Sequence, residues 1–266
     1  MTRRSRLAAA ALALVAALQL SGCAADAPDQ LAYREVARHP HDPNAFTQGL
    51  LWHDGALYES TGLYGSSSLR RVDLASGEVR AIRYLPDDRF AEGLARVGDE
   101  LIQLTWRAQE AYRWPLQGFE RGEPARATHR YAGEGWGLCF DGERLVMSDG
   151  SARLTFRDPA DLAPLGSVEV TLAGEPLPRL NELECIGDQV WANVWYDDRI
   201  VRIDPDDGRV TGVLDAATLL SAEERAGLSD EAVLNGIAWR PEAGTLLLTG
   251  KLWPVVVEVA IDDAAP

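Results

Sequence analysis

The stretch Phe90-Ala91-Glu92-Gly93-Leu94 sets an acidic residue among an aromatic ring, a glycine and aliphatic neighbours, just before a run that reads as strand. The same cassette, one variable residue, then glycine and leucine, then an apolar strand, recurs along the chain. Its other copies are Gln48-Gly49-Leu50, Trp136-Gly137-Leu138, Asn181-Glu182-Leu183 and Asn235-Gly236-Ile237. Successive copies stand 44, 44, 45 and 54 residues apart. A period of that size, filled with short strands and turns, marks radial repetition of small sheets. The sequence therefore predicts an all-β chain forming a five-bladed β-propeller.

Outward from the cassettes, the alternation of apolar residues and turn signals predicts four strands per blade. Blade one is expected over 46–52, 57–60, 69–74 and 78–84, and blade two over 92–97, 101–106, 111–114 and 125–131. Blade three is expected over 135–140, 144–148, 153–157 and 166–172, and blade four over 181–186, 189–194, 199–204 and 209–214. Blade five, over 237–240, 245–249 and 255–260, is one strand short. An orphan strand at 31–38 can supply the missing outer edge and close the ring. The extra length at 215–233 has helical composition around Ser221-x-x-Glu224, a capping-box pattern, and predicts a short helical insert before the last blade.

The N-terminus reads as a targeting segment. Arg3, Arg4 and Arg6 precede an apolar run at 7–20 that is too short to span a bilayer. Leu20-Ser21-Gly22-Cys23 resembles the cleavage box of bacterial lipoproteins, with Cys23 as the lipidated residue. The expected layout is a signal peptide at 1–22, a tether at 23–30 and one catalytic domain at 31–266. The protein is then exported and periplasmic, a monomer that meets the membrane only through its lipid anchor. The formal charge of -15 becomes -18 once the three signal arginines are removed, which argues against nucleic acid as a partner.

Cys139 and Cys185 remain, in an oxidising compartment that favours bridging. Cys139 lies three residues after Trp136 and Cys185 four after Asn181, so on strands of period two they point to opposite faces. Opposite faces of neighbouring blades meet. A Cys139–Cys185 disulfide between blades three and four is therefore expected, with two buried thiols as the alternative.

In a propeller the innermost strands start at one rim of the central channel, so Gln48, Glu92, Trp136, Asn181 and Asn235 should converge there. A second column at the ends of the second strands gives Gly62, Trp106, Gly150, Trp195 and Lys251. Taken singly, Glu92 reads as a solvated turn acid, Lys251 as a surface charge and the tryptophans as packing residues, like Trp52, Trp114, Trp191 and Trp239. Glu182 and Glu184 read as partners of arginines or caps of backbone amides. The four histidines fall in turns or on an outer strand and receive no role. Recurrence at equivalent repeat positions is what raises the first group to a candidate pocket. No metal-ligand spacing is present.

Nine motifs in order carry a family resemblance: Phe46-Thr47-Gln48-Gly49-Leu50, Glu59-Ser60-Thr61-Gly62-Leu63-Tyr64-Gly65, Glu92-Gly93-Leu94, Gly135-Trp136-Gly137-Leu138, Met147-Ser148-Asp149-Gly150-Ser151, Asn181-Glu182-Leu183-Glu184, Ala192-Asn193-Val194-Trp195, Asn235-Gly236-Ile237-Ala238-Trp239 and Thr249-Gly250-Lys251-Leu252-Trp253. Together they resemble the plant and bacterial type of glutaminyl-peptide cyclotransferase. The resemblance implies a five-bladed propeller that converts N-terminal glutamine of peptides or proteins to pyroglutamate, with loss of ammonia and no cofactor or catalytic zinc. It also implies Glu92 as acid/base and Phe46, Gln48, Trp106, Trp136, Asn181, Trp195 and Lys251 as substrate-binding residues. Two other classes stay open on residues alone: a calcium-dependent lactonase-like propeller hydrolase, which should show a sixth repeat, and a non-catalytic propeller lipoprotein scaffold.

Overall fold

The structure, a computed structural model, describes residues 27–262. The expected signal peptide 1–22, Cys23 and residues 24–26 of the tether lie outside the described residues. The first strand, Asp29–Pro40, begins earlier than expected, so Asp29 and Gln30 belong to the folded body and not to a tether. The reason is pairing: residues 29–31 lie parallel to 212–214 before residues 32–40 turn to an antiparallel ladder with 255–262.

Among the described residues, the regular structure is almost wholly strand. Three antiparallel four-stranded sheets come first: Thr47–His53, Ala56–Thr61, Ser68–Val72, Val79–Tyr84; then Ala91–Val97, Glu100–Thr105, Glu110–Pro115, Ala127–Arg130; then Leu138–Phe140, Leu145–Ser148, Arg153–Arg157, Pro164–Glu169. An eight-stranded sheet holds the rest, apart from one two-stranded hairpin. One half is Leu180–Ile186, Gln189–Val194, Arg199–Ile203 and Val210–Asp215; the other is Leu234–Arg240, Thr245–Gly250 and Val255–Asp262, with Asp29–Pro40 joining the two.

Local departures from the expected strands have visible causes. The strand expected at 135–140 starts only at Leu138, because the Trp136 and Gly137 amides donate to the Ser148 carbonyl and hydroxyl instead of entering a ladder. The strand expected at 166–172 lies at Pro164–Glu169, and Thr171–Leu172 forms a separate hairpin with Glu175–Pro176. Within 215–233, α-helix is confined to Ala222–Arg225, capped reciprocally by Ser221 and Glu224. The apolar spacing there serves the core: Ala216, Leu219 and Leu220 pack with Trp191 and Trp253.

The first strands of successive sheets lie against one another around a ring, and that of the last unit lies against that of the first. This close approach explains the cassette glycines. A Cβ on Gly93 would stand 2.5 Å from the Leu138 nitrogen, and one on Gly137 2.0 Å from the Asn181 carbonyl oxygen. Where the fourth cassette has Glu182 in place of glycine, its carboxylate accepts from the Leu50 amide at 3.1 Å and the Ile237 amide at 2.8 Å. Cys139 and Cys185 form a disulfide with Cα atoms 5.5 Å apart across 46 residues of sequence. Closing a loop of that length stabilises by about 4 kcal/mol in the chain-entropy model.

Candidate active site

Four cassettes coincide with a β-bulge. Register slips fall between Thr47 and Gly49, Ala91 and Leu94, Leu180 and Leu183, and Leu234 and Ile237. A bulge re-aims a side chain out of the ladder's alternation. Gln48, Glu92, Asn181 and Asn235 sit at these slips, and all four are buried.

The second column is set by a repeated backbone bond. The amides of Gly62, Trp106, Trp195 and Lys251 donate to the carbonyls of Phe46, Phe90, Arg179 and Val233 at 2.8, 2.9, 2.8 and 2.9 Å. Sheet three departs from this pattern, with the Gly150 carbonyl accepting from the Arg179 amide at 2.8 Å. A Cβ on Gly150 would stand 2.6 Å from the Trp136 ring, so glycine leaves room for that indole.

The two columns meet in one cavity of about 120 Å³, lined by Gln48, Phe90, Glu92, Trp106, Trp136, Asn181, Trp195 and Lys251. Phe46 stands behind it, with the Lys251 ammonium 4.8 Å from its ring centre and the Phe90 ring edge-on at 6.1 Å. Asn235 stands one bond further back. Its Nδ2 donates to Gln48 Oε1 at 3.2 Å, and Gln48 Nε2 in turn donates to Glu92 Oε1 at 3.0 Å. The relay fixes the Glu92 carboxyl from one side.

Burial holds the Glu92 carboxyl well above the usual carboxylate range, against the opposing pull of Lys251 and with a small addition from Glu134. Burial likewise pushes Lys251 down to about 8, although Glu92 and Glu231 oppose it. The cavity thus pairs an acid whose proton is held more tightly than usual with an amine whose proton is held less tightly. Asn181 Oδ1 is buried with no hydrogen-bond partner, an open valence facing a ligand-sized space.

Phe90 and Glu134 belong to this site and were not among the sequence-predicted residues. Phe90 lies in edge contact with Tyr64 at 5.4 Å and Trp106 at 5.7 Å. Glu134 Oε2 accepts from the indole nitrogens of both Trp106, at 2.7 Å, and Trp136, at 3.1 Å. A signal existed: both residues lie two positions before a cassette, in register with Phe46. His41, given no role from sequence, is buried and joins the Trp253 carbonyl to Glu59 at 2.7 and 3.0 Å. Desolvation works against its charge, but Glu59 prevails and holds it above the usual histidine range.

A family model described as glutamine cyclotransferase matches residues 7–261. The chain is 39% identical over 249 residues to a glutaminyl-peptide cyclotransferase of Arabidopsis thaliana, covering 93% of this chain and 77% of the relative. The crystal structure of Myxococcus xanthus glutaminyl cyclase superposes with a TM-score of 0.81 at 41% identity, over 88% of this chain and 98% of that one. A more distant likeness, to the WD40 repeats of RRP9, has a TM-score of 0.51 at 10% identity over 89% of this chain and 99% of that one, and concerns the fold alone. With these relatives spanning nearly its whole length, and with the bulged cassettes converging on one aromatic cavity, the chain belongs to the glutamine cyclotransferase family.

Proposed function

We propose that this protein cyclises N-terminal glutamine of peptides or proteins to pyroglutamate, releasing ammonia, in the cavity around Glu92. One observation carries the reading: a buried carboxyl of raised pKa, oriented by Gln48, faces Lys251 and an unpartnered Asn181 oxygen in a cavity the size of a single side chain.

The reaction needs no enzyme nucleophile. The substrate's α-nitrogen attacks its own γ-carboxamide carbon, a new C–N bond forms, and the C–N bond to the amide nitrogen breaks. Folding the glutamine back on itself supplies the proximity term, and walls of Phe90, Trp106, Trp136 and Trp195 suit its methylenes. Glu92 in its carboxylate form takes the proton shed by the attacking nitrogen and delivers it to the departing nitrogen, which leaves as NH3. Protonated Lys251 is placed to stabilise the oxyanion that develops on the amide oxygen. Asn181 Oδ1 suits an N–H of the substrate, and Phe46 backs Lys251.

Around that core, a five-bladed propeller with a helical insert before its last blade accounts for the repeat period, the ring of first strands and the likeness to WD40 repeats. Residues 1–22 serve as a signal peptide and Cys23 as a periplasmic lipid anchor for a monomeric catalytic domain, on the strength of the basic and apolar N-terminal pattern. The mass of the mature N-terminus tests that part: an unacylated Cys23 removes the anchor. The activity itself is tested by ammonia release from a glutamine-initiated dipeptide, with and without chelator. Release unaffected by chelator is expected, and a chain that yields no ammonia has a different function.

A further inference from the structure

Glu134 is unusual for a half-exposed carboxylate. One of its oxygens, Oε2, accepts from two indoles that both line the cavity, while Oε1 accepts from Arg107 Nε at 3.1 Å. The Arg107 guanidinium lies 3.8 Å from the centre of the Trp106 ring, so one side of that indole is covered by a cation held in turn by Glu134. Neither tryptophan N–H is left for a substrate. Among the described residues, the third cavity indole, that of Trp195, has no such acceptor.

We propose that Glu134 is a positioning residue of this site: it fixes Trp106 and Trp136 as two walls by holding both N–H groups at the rim, and sets a negative charge beside Glu92. The inference rests on the cyclase reading of the cavity. A planar ring held by one hydrogen bond at its nitrogen keeps its tilt, and two rings held by the same oxygen keep their spacing. The distance between the walls is what decides whether a glutamine side chain folds back or stays extended. The charge acts separately. Glu134 faces Glu92 together with Lys251, Tyr131 and the Gln48 amide, and of these only Glu134 disfavours the ionised Glu92 that starts the reaction while remaining on the solvent side.

Two substitutions separate the clasp from the charge. Glu134→Ala removes both, and should lower kcat/KM by about 10- to 100-fold, the range expected when a positioning contact is lost. Its near-ultraviolet circular dichroism should change, since two ordered indoles lose their acceptor. Glu134→Gln keeps an oxygen that can accept both N–H groups but carries no charge. It should keep the dichroism and hold kcat within about threefold, while the acid limb of kcat/KM moves to lower pH because Glu92 ionises more readily. An unaltered spectrum and unaltered kinetics in Glu134→Ala would overturn the clasp, and an unmoved acid limb in Glu134→Gln would overturn the charge. If Glu134→Ala does not fold, the Glu134→Gln profile alone decides. Failure of the cyclase reading is distinguishable, because the unsubstituted chain would then release no ammonia.

Discussion

Glu92 and Glu182 occupy neighbouring positions in equivalent cassettes, both wholly buried and both held well above the usual carboxylate range by desolvation. Their surroundings differ. Glu182 spends each oxygen on a backbone amide of another first strand, Leu50 on one side and Ile237 on the other, and so ties three first strands together at the ring. Glu92 accepts one side-chain bond from Gln48, and faces a cavity with an amine across it. A shifted pKa is common to both and therefore does not identify the reacting group. Open valence does: a carboxyl whose hydrogen-bonding capacity is already filled by the fold is structural, and one left half-filled beside a cavity can exchange protons with a ligand.

The largest effect that can test this contrast is on stability. Glu182→Ala would strand the Leu50 and Ile237 amides in the interior, at about 1–3 kcal/mol for each unsatisfied group, so a loss of about 4 kcal/mol is expected by denaturant unfolding. The folded fraction should keep its kcat within about threefold. A stable but inactive Glu182→Ala protein would reverse the roles assigned to the two acids.

The complementary substitution should leave stability alone and remove activity. Glu92→Gln keeps size and can still meet Gln48, yet cannot titrate, so kcat should fall by about 10²-fold, or about 2.7 kcal/mol, with KM little changed. The folded-state pKa of Glu92 is raised above its unfolded value, so its cost to stability begins as pH rises past the unfolded pKa, grows until the folded pKa is reached and is constant above it. Glu92→Gln is therefore expected to be at least as stable as the parent at pH 7. A raised KM with kcat intact would make Glu92 a grip for the substrate's charged amine instead of a proton carrier.

This contrast was only half legible in the sequence. The cassette period located the sheets, and the polar residues at repeat positions located the cavity, because sterics at the ring demand glycine and leave the residue before it to be aimed inward. The same reasoning could not choose between Glu92 and Glu182 by type, since what separates them is which backbone amides come near, a property of the assembled ring. Phe90 and Glu134 lay in a third column, two residues before the cassette, that shows no uniform chemistry: its members are Phe46, Phe90, Glu134, Arg179 and Val233. Only the repeated backbone bonds to the second column reveal four of these as equivalent. The segment 215–233 was legible in part: the Ser221 and Glu224 capping box marks its short helix, whereas the apolar spacing around it serves an irregular stretch that buries Leu219 and Leu220 in the cluster of Trp253.

The smallest effect, and the most discriminating for the site's electrostatics, lies in the alkaline limb. Burial lowers Lys251 to about 8, so its ammonium is charged below that pH and lost above it. If that charge stabilises the oxyanion, kcat at saturating substrate should decline above about pH 8, up to tenfold per pH unit. The substrate's own α-amine, with a reference pKa of about 7.7–8.0, titrates in the same region but in the opposite sense, since attack requires its neutral form. Lys251→Arg distinguishes the two. A guanidinium stays charged throughout this range, so the alkaline decline should disappear or move up by more than about one pH unit while the acid limb stays with Glu92. The maximal rate should fall several-fold, about 1 kcal/mol, because a planar fork fits a space shaped for a point charge poorly. An alkaline limb unchanged in Lys251→Arg would assign that ionisation elsewhere and leave Lys251 as a partner that merely tunes Glu92.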